Sequence, residues 1–262
     1  MRTNTALKAW REGRPTVGAW LTANSAFNAE SLAHVGFDWL CIDLQHGIVD
    51  YADAVTMLQA ISTTEVVPLV RVPWNDPATI MKVLDAGASG VVVPLVNNGE
   101  EAARAVAACR YPPLGIRSSG PARARMVNGA DYVEAANSEV ACVVMIETAE
   151  ALTRLDEILG TPGVDAAYIG PADLAFAIGL PGKGDNPHPR HLETVQTIVE
   201  ACQRHGVAPG IHTNSVEYTQ KYLDLGCLMV TLGSDTGFMT AKASADLKTV
   251  RSALPSTIDV DV

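Results

Sequence analysis

Eight short, apolar, β-branched runs recur along the chain, at residues 16–22, 39–45, 66–72, 90–96, 141–147, 165–171, 207–213 and 227–233. Stretches with helical apolar spacing separate most of them, at 51–61, 77–86, 100–109, 150–159, 191–205, 216–225 and 235–254. Strands spaced this way cannot pair through a tight hairpin; each must lie parallel to the next across an intervening helix. Runs such as GVVVPLV and ACVVMIE are apolar almost throughout, which suits strands covered on both faces. Asp76-Pro77 and Pro189 provide helix starts, and Gly87, Gly160, Gly206 and Gly226 stand where helices should stop. Eight such units predict an α/β chain folded as one (β/α)8 TIM barrel over residues 1–262, a usual length for that fold. An open doubly wound sheet fits less well, because the first strand lacks the G-x-G-x-x-G of a dinucleotide site. The connection 97–140 contains the turn-rich YPPLGIRSSGP and must hold more than one simple helix.

Composition narrows the partners. No apolar run approaches the eighteen or so residues a membrane span needs, and residues 1–14 alternate charged and small side chains without a signal-like apolar region. A cytoplasmic protein is expected. The five cysteines include no C-x-x-C pair and read as reduced core residues. A net charge of -10 argues against nucleic acid or an anionic membrane surface, both of which need a basic footprint. An anionic small substrate is still admitted, since one local arginine or metal ion outweighs distant, screened charge.

In a barrel, chemistry sits at the C-terminal ends of the strands. Four ends here turn polar: Asp43-Leu44-Gln45-His46-Gly47, Arg71, Glu147 and Gly170-Pro171-Ala172-Asp173. Glu147 and Asp173 are candidate ligands for Mg²⁺ or a similar ion that keeps open positions for substrate; each is also a plausible helix cap. Arg71 is placed to hold an anionic oxygen, or else to tie strand ends together by an ion pair with Asp43 or Glu147. His46 is the acid/base candidate, histidine being the side chain suited to proton transfer near neutrality; the alternative is a buried histidine bonded to a carbonyl. Backbone N–H groups of Ala172 and Asp173 at a helix start favour a bound carboxylate. No lysine falls in any candidate strand, which disfavours a Schiff base and leaves a metal to serve as electron sink.

VGAWLT, FDWLCIDLQHG, PLVRVPWNDP, VLDAGASGVVVPLV, YPPLGIRSSGP, VVMIET, YIGPADLA and VTLGSD occur in an order that resembles the HpcH/HpaI aldolases over nearly the whole chain. These are class II pyruvate aldolases, including 4-hydroxy-2-oxoheptanedioate and 2-keto-3-deoxy-sugar-acid aldolases. The resemblance implies a (β/α)8 barrel in a homo-hexamer, a trimer of dimers with a C-terminal helix exchanged between subunits. It implies a divalent metal (Mg²⁺, Mn²⁺ or Co²⁺) on Glu147 and Asp173, and a substrate carboxylate held at Gly170, Pro171, Ala172 and Asp173. By the same analogy Arg71 stabilises an enolate, His46 is the base and Asp85 raises its basicity; read unaided, Asp85 is a solvent-facing helix charge. The implied reaction makes or cleaves hydroxy-2-oxo acids from pyruvate, or a similar acid such as hydroxypyruvate, and an aldehyde. A β-keto acid decarboxylase, a malyl-CoA-type lyase and a non-catalytic keto-acid-binding barrel are the alternatives. Two departures bear on substrate range: Gln45 stands where many relatives carry an acid, and Met145 where several carry a glutamine.

Overall fold

A computed structural model describes residues 1–254, in which eight parallel strands close into a barrel in chain order. They are β1 (Thr16–Leu21), β2 (Trp39–Asp43), β3 (Val67–Arg71), β4 (Gly90–Val93), β5 (Ala141–Ile146), β6 (Ala166–Ile169), β7 (Ala208–Ile211) and β8 (Met229–Ser234). Every predicted strand is present, shortened mostly at the C-terminal end, where polar residues leave the ladder to form the mouth.

Side chains alternate across each strand, so one set of alternate residues fills the barrel and the other packs outward on the helices. Trp39 and Cys41 of β2, Leu69 of β3, Val143 and Met145 of β5, and Tyr168 of β6 form the inner cluster. Leu40, Ile42, Val70, Val144, Ala167 and Ile169 join the outer one. Gly18 is an inward position whose missing side chain makes room for the Trp39 indole, against which a Cβ would collide. Continuing the inward set toward the mouth leads to Asp43, Arg71, Glu147, Gly170 and His212, so the pleat selects which residues can meet there.

The helices are α1 (Thr5–Arg11), α2 (Ala26–Ala33), α3 (Tyr51–Ile61), α4 (Pro77–Asp85), α5 (Gly99–Cys109), α6 (Ala122–Asn128), α7 (Tyr132–Glu139), α8 (Ala149–Thr153), α9 (Leu155–Leu159), α10 (Pro171–Ala177), α11 (Pro189–His205), α12 (Val216–Asp224) and α13 (Asp235–Ser252). The helix predicted over 150–159 is two, broken at Arg154, which ends α8 and starts α9. The long connection contains α6 and α7, which lie with α1 around the N-terminal end of the barrel. There the Asn4 side chain donates to the carbonyls of Ser89 and Glu139 at 2.9 and 3.0 Å, and Ala6, Leu7 and Trp10 plug the inner cluster from below. All five cysteines are free and buried. Among the described residues no helix is long and apolar enough to cross a membrane.

Candidate active site at the barrel mouth

Register places the first functional pair. Asp43 and Arg71 are direct partners in the β2–β3 ladder, and both side chains point inward. Arg71 donates from Nε to Asp43 Oδ1 at 2.9 Å and from Nη2 to Oδ2 at 2.6 Å, a two-pronged bond with well-defined direction. Asp43 also accepts from the backbone N–H of Gln45 and His46 at 3.0 and 3.2 Å, which shapes the turn leaving β2. Burial pushes the Asp43 carboxyl up, but the Arg71 hydrogen bonds and charge, with those two N–H groups, outweigh it and hold the carboxyl below its usual range. The ion pair foreseen for Arg71 therefore exists, with Asp43. It occupies Nε and Nη2 and leaves Nη1 with the Met145 sulfur at 4.0 Å, so one donor edge remains for a ligand.

Trp20 supports this arginine from β1. Its Nε1 donates to Tyr168 at 3.0 Å and to Thr231 at 2.9 Å, fixing the indole, and the Arg71 guanidinium lies 4.3 Å from the ring centre.

Glu147 follows β5 and is 3% exposed. It is not the cap of α8: Thr148 is, its hydroxyl accepting from the Ala151 N–H. The Glu147 carboxylate instead accepts one backbone N–H, from Leu95 at 2.9 Å. Leu95 stands at φ +54, a left-handed conformation that costs a residue with a Cβ on the order of 1–2 kcal/mol, and its N–H serves this carboxylate. The other oxygen faces Gly170, where a Cβ would collide with Oε2. Burial, offset by the Leu95 bond and reinforced by the charge of Asp173, pushes the Glu147 carboxyl up to about 7. Asp173, in the first turn of α10, is exposed, caps nothing and accepts no hydrogen bond among the described residues. A buried carboxylate with a single donor beside an unpaired one is a donor set short of positive charge. The two suit a hard cation that keeps its remaining positions for water or substrate oxygens.

A cleft of about 280 Å³ opens here, walled by Trp20, Arg71, Met145, Tyr168, the segment Gly170 to Asp173, and Gly184, His212 and Asn214. No lysine lines it.

The HpcH/HpaI aldolase/citrate lyase family model matches residues 16–241. The chain belongs to this family. It is 43% identical over 247 residues to a 4-hydroxy-2-oxo-heptane-1,7-dioate aldolase of Klebsiella pneumoniae subsp. pneumoniae, covering 92% of each chain. Among solved structures it resembles an HpcH/HpaI aldolase/citrate lyase family protein from Burkholderia cenocepacia J2315, with TM-score 0.89, 34% identity, and 95% of this chain and 100% of that one covered. Macrophomate synthase is similar at TM-score 0.84 and 25% identity, over 95% of this chain and 89% of that one.

The HpcH/HpaI barrel thus gathers Arg71, Gly170, Pro171, Ala172 and Asp173 on the wall of one cleft, with Glu147 packed behind Gly170. His46 stands on the exposed turn after β2; its imidazole is neither buried nor part of the cleft wall. Asp85 is elsewhere. It ends α4, which starts at the mouth after β3 and so finishes at the opposite end of the barrel, where its carboxylate receives Arg117 Nη2 at 2.7 Å. Within one chain it does not meet His46. Trp20, His212 and Asn214 are not singled out by the sequence, though carrying the inward alternation one residue past each strand finds His212.

Proposed function

We propose that this protein is a divalent-metal-dependent aldolase that makes or cleaves hydroxy-2-oxo acids from pyruvate, or hydroxypyruvate, and an aldehyde. The observation that supports the reading is a cleft without lysine, lined by the Arg71 donor edge and Asp173, with the Glu147 carboxylate behind Gly170 and within reach of the Asp173 charge. Glu147 and Asp173 would hold Mg²⁺, Mn²⁺ or Co²⁺, which when bound supplies Lewis-acid polarisation of the substrate carbonyl. Ala172 and Asp173 line the cleft in the first turn of α10, and their N–H groups would receive the substrate carboxylate. Arg71 Nη1 shares the negative charge that grows on the former keto oxygen as the bond at C3 breaks. His46, from the rim, moves the proton at the aldehyde oxygen through water.

Since Asp85 is paired with Arg117 at the far end of the barrel, it acts on His46 only across a contact between subunits. In α13 only Asp235 is buried, while Met239, Leu247 and Val250 are each at least half exposed. That unpartnered apolar surface supports exchange of the helix within a homo-hexamer, which light scattering of the purified protein would detect as six chains per particle.

Gly170 provides a local test of the cation site. Gly170→Ala puts a methyl where Oε2 of Glu147 lies, and Mn²⁺ affinity measured by titration calorimetry is expected to fall about 10- to 100-fold, the scale seen when a ligand's support is disturbed. The reaction itself is tested by NMR of pyruvate in D₂O. Loss of the C3 proton signal is expected with metal and not after metal is stripped; no exchange with pyruvate or hydroxypyruvate under either condition would overturn the aldolase reading.

A further inference from the structure

The wall of the cleft at the end of β7 is polar, and nothing in the reaction described so far uses it. His212 follows β7, at the inward position after Ala208 and Gly210, and its N–H continues the ladder by donating to Ile169 O at 3.2 Å. Gly210 is small because Tyr168 and Met229 fill the space where its Cβ would stand, so the first side chain of any size that β7 projects into the mouth is the imidazole. The ring meets Trp20 edge-on, centroids 5.5 Å apart, on the same indole that carries Arg71. Asn214, two residues on, is held against the loop that closes this side: its backbone N–H donates to Asp185 at 3.0 Å, and its amide lies where a Cβ on Gly184 would be.

An ordinary structural histidine looks different, and this protein has one. His191 is fully buried in α11, with Nε2 on the Pro171 carbonyl at 2.9 Å. No backbone carbonyl takes up the His212 ring among the described residues; it borders open cleft, with the Asn214 side chain as its polar neighbour. Burial, and then the Arg71 charge, push the imidazole down to about 4 against the pull of Asn214 and of the Asp185 and Asp43 charges. At neutral pH it is therefore uncharged, able to donate from one nitrogen and accept at the other. Such a wall gives no charge to attract a second carboxylate, and a purely apolar chain would leave its hydrogen-bonding groups unpaired.

We infer that His212 and Asn214 form a hydroxyl-binding subsite, which makes this protein selective for reactants bearing an uncharged hydroxyl next to the carbonyl. The inference rests on the aldolase reading. The hydroxyl has two sources of the same chemistry: C3 of the 2-oxo acid, as in hydroxypyruvate, or C2 of the aldehyde, as in glycolaldehyde.

Two isosteric pairs separate the sources, each exchanging only a hydroxyl for a methyl. With the metal-loaded enzyme, kcat/KM is compared for glycolaldehyde against propionaldehyde, with pyruvate as partner, and for hydroxypyruvate against 2-oxobutyrate, with one common aldehyde. The native enzyme is expected to prefer the hydroxyl-bearing member of at least one pair by about tenfold or more, the scale of a site built to hydrogen-bond that group. The pair affected names the source. His212→Leu should reduce that preference about tenfold, Asn214→Ala should reduce it as well, and His212→Gln should restore part of it. Preference ratios are taken within each variant, so a loss of folded protein cancels. Equal use of both members by the native enzyme, or a ratio that His212→Leu leaves unchanged, overturns the subsite. Failure of the native enzyme to exchange the pyruvate C3 protons would instead remove the aldolase reading beneath it.

Discussion

Arg71→Ala is expected to lower kcat by about 10²- to 10³-fold, the usual cost of removing a preorganised donor from a developing oxyanion. The size of the effect follows from how the guanidinium is held. Two of its nitrogens are committed to Asp43, its face rests on Trp20, and only the Nη1 edge looks into the cleft. A donor fixed in this way needs no rearrangement when charge appears on the substrate. The same substitution strands the Asp43 carboxylate, 2% exposed, without its partner, and breaking a buried pair by removing one side costs about 3–5 kcal/mol. Rate and stability therefore fall together, and Arg71→Lys separates them. Lysine returns a positive charge near Asp43 but neither the fork nor the Nη1 edge. It should recover most of the lost melting temperature while kcat stays at least about tenfold low, since point charge does not replace directed donation. Near-normal turnover in Arg71→Ala would sink the role given to this residue.

The barrel was legible because its signal is periodic and repeated. Each of the eight apolar runs needs only short-range pattern, and eight together leave few ways to close a sheet. The helices that the sequence does not place, α1, α2, α6 and α7, are seven or eight residues long, and their places are set by what they cover: Trp10, for example, is anchored by Thr16 at 2.7 Å. Residues of the candidate site are legible where a strand ends abruptly in a charge, as at Arg71 and Glu147. What sequence could not supply were contacts carried by the backbone. Leu95 reaches Glu147 through an N–H in a left-handed turn, a partnership that no residue type announces. Asp85 shows the opposite limit: a residue named by family resemblance lies, within one chain, beside Arg117 at the far end of the barrel.

Glu147→Gln is expected to abolish metal-dependent C3 proton exchange of pyruvate, and its stability should move in the opposite direction to its activity. In the metal-stripped protein the Glu147 carboxyl is raised to about 7, against an ordinary value of about 4.3 in an unfolded chain. A carboxyl that holds its proton more tightly when folded stabilises the fold at low pH, and that contribution is lost as pH rises from about 4.3 through about 7. At pH 8 the metal-free wild type thus carries a buried charge with one N–H donor and Asp173 nearby. Glutamine has the same shape and no charge. Its carbonyl can keep the Leu95 hydrogen bond while its amide faces Gly170, so the metal-free variant should melt higher than wild type at pH 8, the gap closing toward pH 5. Added Mg²⁺ should then raise the wild-type melting temperature at pH 8, because binding to the native state alone stabilises it, and should leave the variant nearly unmoved. A purely structural Glu147 would keep the pH-dependent gap, which comes from burial alone, but would not give the difference in response to metal. Exchange persisting in the variant, or equal stabilisation of both proteins by Mg²⁺, would move the cation away from Glu147 and with it the chemistry assigned to this cleft.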